Sequence, residues 1–320
     1  MKRTCLAVAA LFVAASVHAQ NFPSKPLRIV VPFSAGGPAD ITTRNIAPRL
    51  SELLGQSIIV DNRAGANGTI GADAVVRAAP DGHTLLMTTA SVTSINMVTY
   101  AKPPYQTLRD LQPLSPVMTT ASLIVLHPSM PTKNLKELTA LAKAKPEQIA
   151  FGSAGNGGTL HLGLEMLMDA AKVKITHVAY KGAAPAVSDL VGGQIQGMFV
   201  DLPVISPYVK SGRVKAIAVA SDKRSPYFPD IPTTGESGYA GVTMTNYYGL
   251  LTTAKTPRAS ADKLHDAIVK TVNTKAVHDR LVATGADPLT MSIDEFAKFI
   301  EADIGRWRKV VQAAGLKFDR

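Results

Sequence analysis

The chain has 320 residues, of which 46% are hydrophobic and 18% charged. That composition excludes a disordered or fibrous chain, and the length allows two domains of ordinary size. The formal charge of +10 would suit a nucleic-acid partner, but Lys and Arg are scattered, aromatics are few and the N-terminus carries an export pattern. The charge is therefore read as a solvated surface that also draws anionic ligands, with no nucleic-acid role.

Lys2 and Arg3 precede an apolar run, Cys5–Val17, and Val17–His18–Ala19 supplies a small-x-small cleavage pattern. This is the layout of a secretory signal cleaved after Ala19, and the run is too short to span a bilayer. Cys5 is the single cysteine, so a processed chain would have neither disulfide nor thiol chemistry.

Ile29–Arg44 reads IVVPFSAGGPADITTR. A short buried strand runs into the glycine turn Ser34–Gly37, and Pro38 suits the first position of a helix. The free N–H groups and positive dipole end of a helix start make an anion site held by backbone alone, which suits a carboxylate that must also be released. The helix reads to Leu54, with a kink or break expected at Pro48. Ser57–Val60 forms a second strand, Thr69–Ala79 a helix and His83–Thr89 a third strand. This last strand ends in the hydroxyls Thr88, Thr89 and Ser91, at the strand end where open α/β sheets bind ligands.

Two apolar runs fill Leu111–Leu126, with a crossing between lobes expected near Thr120–Ser122. Asn134 caps a helix to about Ala144. Gln148–Met166 repeats the opening pattern: strand Ile149–Phe151, glycine turn Gly152–Thr159, then an amphipathic helix. Its spacing does not match a dinucleotide fingerprint, and no G-K-[ST] follows. Further strands read at His177–Ala179, Ile195–Val200 and Val214–Ala220, with helical segments Pro185–Val191 and Pro203–Lys210 between them. Ser292–Glu295 is a capping box for a C-terminal helix whose stripe includes Trp307, read as core packing, and which Gly315 ends. The expected fold class is α/β, two-lobed, with mainly parallel sheets and flanking helices. Residues 1–19 form the signal, 20–121 with 222–320 one lobe, and 122–221 the other.

No G-x-S-x-G elbow, H-E-x-x-H or other catalytic set is present, and the histidines lack metal-ligand spacing, so neither enzyme nor metal protein is expected. Several readings stay open. His161 either lines the crevice or caps its helix, and Lys181 either pairs with an anion or is solvated. Asp201, delivered by a strand end, either accepts a ligand hydroxyl or amine or caps the next helix.

Together the segments Pro23–Asp40 (PSKPLRIVVPFSAGGPAD), Val60–Gly68 (VDNRAGANG), Pro80–Thr84 (PDGHT), Ala179–Ala186 (AYKGAAPA), Asp189–Ile195 (DLVGGQI) and Arg306–Lys317 (RWRKVVQAAGLK) carry a resemblance. The chain resembles the Bug-type periplasmic substrate-binding proteins of tripartite tricarboxylate transporters from about Pro23 onward. The resemblance implies a clamshell binding-protein fold, capture of a small carboxylate in the periplasm by a monomer, and delivery to integral-membrane permease subunits, without a cofactor. An exported sensor subunit would use the same pocket. In relatives the opening glycine loop helps hold a ligand carboxylate, and the hydroxyl run, second glycine loop and strand end after Phe199 match cleft positions. Carried over and joined with the residues read above, the candidate ligand-binding set is Phe33, Ser34, Ala35, Gly36, Gly37, Asp40, Thr88, Thr89, Ser91, Ser153, Gly155, Asn156, Thr159, His161, Lys181 and Asp201. Two departures stand out. Val200 separates the Met198–Phe199 pair from Asp201, where many relatives place Asp directly after the pair. Relatives also often carry Trp where this chain has Tyr247 or Tyr248.

Overall fold

The computed structural model describes residues 22–313; the signal segment and the Gly315 helix stop lie outside them. In chain order the elements are β1 (Leu27–Val31), α1 (Pro38–Leu54), β2 (Ile58–Asn62), α2 (Thr69–Val76), β3 (Thr84–Thr89), short helices α3 (Asn96–Thr99) and α4 (Thr107–Asp110), and β4 (Leu111–Leu126). There follow α5 (Leu135–Ala144), β5 (Ala150–Ser153), α6 (Thr159–Ala171), β6 (Thr176–Ala179), α7 (Ala183–Val191), β7 (Gly197–Asp201), α8 (Leu202–Lys210) and β8 (Lys215–Val219). The chain closes with β9 (Thr245–Thr253), α9 (Arg258–Asn273), α10 (Lys275–Ala283), β10 (Asp287–Pro288) and α11 (Ile293–Ala313).

The strands lie in the order β2–β1–β3–β9–β4–β7–β5–β6, with β8 and β10 also paired to β4. The outer pairs β1–β2, β1–β3, β5–β6 and β5–β7 are parallel, joined by helical crossovers. The central strands β9 and β4 pair antiparallel with their neighbours, which makes the sheet mixed. β4 is one continuous strand, where the sequence suggests two runs. Up to Ala121 it pairs with β9; from Ser122 it pairs with β7 and β8. Its register against β9 slips at Pro113–Ser115 and Pro116–Met118, where prolines cannot donate to the ladder.

Three cores result. The first packs β1, β3 and β9 with α1, α9 and α10. The other two lie on opposite faces of the second half. Ile124 and Phe199 point into one, and Leu123, Val125, Met198 and Val200 into the other, as strand alternation requires. Tyr239, Val242 and Met244 also pack on the second half. α11 serves both halves: Phe296 and Ile300 belong to the first core, Trp307 and Val311 to the second. Its 21 residues reach about 30 Å.

Local signals behave as read. Asn134 accepts the Glu137 N–H at 2.9 Å, and Ser292 with Glu295 forms the capping box. Pro48 does not break α1, because it stands on the exposed face. There only a solvent-side hydrogen bond is lost.

Phe296 is fully buried against β9, where a Cβ on Gly249 would lie 2.7 Å from its ring. Phe296→Ala is expected to cost about 3–5 kcal/mol, read as a lower urea midpoint by circular dichroism with the slope unchanged.

Candidate functional site

Three helices begin at one cavity. α1 follows Gly37, α6 follows Gly158 and α7 follows Gly182, and none of these glycines supplies a side-chain cap. The first-turn N–H groups of such helices have no intrahelical carbonyl to bond. Pro38 and Ala39, Thr159 and Leu160, and Ala183 all line a small cavity of about 30 Å³. Phe33, Thr89, Ser91, Ala154, Asp201, Asn246 and Tyr248 complete the wall. Among the described residues no Lys or Arg lines it. Helix starts favour negative charge beside them. The sequence reading supplies two of these starts; the third, at Ala183, is brought in by the β6–α7 turn.

The two halves touch around this cavity through glycines. The Ser34 N–H donates to the Lys181 carbonyl at 3.2 Å, and a Cβ on Gly182 would lie 2.2 Å from Ser34 Oγ. Ser91 Oγ accepts the Thr159 N–H at 3.0 Å and lies 3.2 Å from Thr159 Oγ1. A Cβ on Gly158 would lie 2.4 Å from Asn67 Oδ1. Asn67 adopts a left-handed φ of 50°, a conformation Asn tolerates better than most residues. It is held by a pair of hydrogen bonds with Asn96, at 2.8 and 3.1 Å.

The remaining candidates separate. Ala35 and Gly36 are exposed at the rim. Gly155, Asn156 and Lys181 line an outer cavity with Gly65–Gly68, Tyr100 and Tyr180; Phe33 and Ala154 border both cavities. Thr88 is buried with its hydroxyl on the Thr89 carbonyl, on the opposite strand face from Thr89. Ser153 is held by His177 at 2.6 Å. His161 does not reach either cavity. Its Nδ1 accepts the Gly157 N–H at 2.7 Å, its Nε2 meets Glu165 at 3.0 Å, and its ring stacks on His177. Of its two readings, the helix-start role is the one this geometry supports.

Asp40 serves its own loop. It accepts from the Gly36 N–H at 2.9 Å, Arg44 Nε at 2.9 Å and Asn62 Nδ2 at 3.1 Å. Burial pushes its carboxyl up, but the bonds from Arg44, Gly36 and Asn62 and the Arg44 charge outweigh it and hold the group below the usual carboxylate range.

Asp201 is the opposite case. It is 1% exposed, and burial raises its carboxyl above the usual range despite three donors. Ser122 Oγ–H donates to Oδ1 at 2.6 Å, Asn246 Nδ2 donates to Oδ2 at 3.0 Å, and the Tyr248 hydroxyl donates to Oδ2. Burial and the adjacent carboxyl raise the Tyr248 hydroxyl well above its ordinary value. Tyr247, next along β9, faces the other way, with its hydroxyl on Thr93 at 2.6 Å and its ring on Phe299. Ser122, Asn246 and Asn67 are absent from the sequence-derived set, although Asn67 lies in the Val60–Gly68 motif.

Asp40 generates a pH prediction. A carboxyl lowered by folding contributes stability above its unfolded value of about 3.8, and that contribution is lost as pH falls through the folded value. Asp40→Asn is expected to cost about 1–3 kcal/mol at pH 7, and thermal melts should show the gap from wild type shrinking below pH 4.

Among the described residues no helix is long and apolar enough to cross a membrane, and no His, Cys, Asp and Glu group could hold a metal ion. Residues 42–316 match the family described as the tripartite tricarboxylate transporter family receptor. Protein BugT of Bordetella pertussis is 34% identical over 311 residues, covering 97% of this chain and 95% of the relative. A Rhodopseudomonas palustris protein solved with adipate superposes with a TM-score of 0.89 at 30% identity, over 92% of this chain and 99% of its own. A second, solved with malate, gives 0.87 at 30% identity, over 91% of this chain and all of its own. The superpositions assign the two-lobed periplasmic-binding-protein fold, and the chain belongs to the tripartite tricarboxylate transporter receptor family, whose members are substrate-binding receptors of the Bug type.

Proposed function

We propose that this chain, exported and cleaved after Ala19, is a periplasmic receptor that captures a small carboxylate between two lobes. It acts as a monomer and delivers its ligand to integral-membrane permease subunits, without catalysis. The observation that carries this reading is the convergence of three glycine-led helix starts on one cavity that, among the described residues, has no Lys or Arg in its wall. Adipate and malate in the two solved relatives support the ligand class.

We draw the lobe boundaries at Ala121–Ser122, where β4 changes partners, and near Met244–Thr245 on the return. Relative to the sequence-based division, residues 222–244 move to the second lobe, an assignment supported by the packing of Tyr239, Val242 and Met244. The carboxylate sits against the N–H groups of Ala39, Leu160 and Ala183. Phe33, Thr89, Ser91 and Thr159 shape the inner cavity around it, while Ser34, Gly36, Gly155, Asn156 and Lys181 form the entry. Binding stabilises the closed arrangement because both lobes contribute helix starts to one anion.

A thermal-shift screen of the chain from Gln20 against a panel of aliphatic, aromatic and amino carboxylates tests the reading. A class-selective rise in melting temperature is expected, corresponding to about 2.7 kcal/mol at a hundredfold excess over Kd. Cooperative melting with no shift by any acid overturns it. Gly158→Ala has an ordinary φ of −86° and adds a methyl against Asn67 and Ser91. Calorimetry should show at least tenfold weaker binding, about 1.4 kcal/mol, with unliganded melting little changed.

A further inference from the structure

We infer that Asp201 selects, among carboxylates, those that also carry a hydrogen-bond donor: a hydroxyl or an ammonium group close to the carboxylate. The inference rests on the reading of this cavity as a carboxylate site and names the subclass it takes.

The first support is the orientation of Asn246. Its Oδ1 accepts the Ala90 N–H at 3.2 Å and the Tyr247 N–H at 3.1 Å, so its amide cannot be reversed. Nδ2 therefore faces Asp201, and Asp201 Oδ2 is an acceptor. Tyr248 donates to the same oxygen, while among the described residues Oδ1 receives only Ser122. An ionised carboxylate offers about four lone-pair positions. Three are taken, and the fourth lies on Oδ1 of a side chain that lines the cavity. Asp201 also stands at the start of α8, a position that favours the ionised form.

The second support is Thr89. It is 3% exposed, lines the same cavity, and its Oγ1 has no hydrogen-bond partner among the described residues. A buried hydroxyl left unpaired is costly. A polar group on the ligand would satisfy it.

The cavity therefore has two unlike walls. The starts of α1, α6 and α7 attract negative charge. Asp201 repels it and lacks one donor. A plain dicarboxylate would set its second carboxylate against Asp201. A hydroxy acid or amino acid would place O–H or N–H there instead. The ordinary two-fold rule for specificity applies: the matching ligand gains a bond, and the analogue lacking the donor leaves a buried acceptor unpaired.

The test is calorimetry on the chain from Gln20 with sets matched in skeleton: propionate, lactate and alanine; succinate, malate and aspartate; benzoate with its hydroxy and amino derivatives. In the set that binds, the donor-bearing acid is expected to bind at least tenfold more tightly than the plain acid, and Asp201→Asn should erase that ratio. Plain acids binding equally well or better overturn the inference and leave the carboxylate reading intact. A preference that survives Asp201→Asn removes Asp201 from the role. Binding by no acid in any set overturns the carboxylate reading and this inference with it. Should Asp201→Asn fail to melt cooperatively, the wild-type ratios and the same ratios in Thr89→Val decide, the latter expected to weaken every acid that binds.

Discussion

An anion held without a cation needs backbone N–H groups that nothing in the protein has already taken. That constraint explains the residues at the helix starts. Gly37, Gly158 and Gly182 stand where Ser, Asp or Asn would supply a capping oxygen. Glycine there costs only a few tenths of a kcal/mol per helix relative to those caps, and it leaves the first turn open toward the cavity. Two of the three glycines do a second task. Gly158 and Gly182 are the points where the halves come closest, and a methyl at either would meet Asn67 or Ser34. The same absence of a side chain thus opens the proposed anion site and lets the walls meet around it.

The architecture ties these starts together through very few elements. β4 changes partners at Ala121–Ser122, β9 begins where the chain returns, and α11 places Phe296 in one core and Trp307 in another. The proposed lobe closure would be absorbed at these places, since packed cores do not deform continuously. Arg306 lies 4.4 Å over the Trp307 ring and pairs with Asp303 at 2.8 Å, which anchors the far end of α11.

Two buried aspartates show how environment divides one side-chain type. Asp40 has Arg44 beside it and stays charged to lower pH; Asp201 has three neutral donors and no cation, and burial pushes it up. Asp40 occupies the Gly36 N–H and so consumes part of the opening loop's donor capacity, whereas Asp201 adds a negative wall opposite the helix starts. The site is polarised although its walls carry almost no formal charge.

Local chemistry determined a good deal here. Hydrophobic runs, glycine turns and Pro38 are enough to write strand, turn and helix at Ile29–Arg44 and again at Gln148–Met166, and Asn134 and Ser292 announce their caps, because these signals act within a few residues. The pairing of His161 with Glu165 is likewise an i, i+4 contact on one helix face. What surrounds the cavity needed the tertiary structure. Ser122 meets Asp201 only because β4 and β7 pair in that register, and Asn246 and Tyr248 reach it from β9, across the sheet. Shifting either strand by one residue would turn these side chains to the opposite face, as the contrast between Tyr247 and Tyr248 demonstrates. A sequence states which residues can bond to their near neighbours; the register of distant strands, set by packing of three cores at once, decides which polar groups share a cavity.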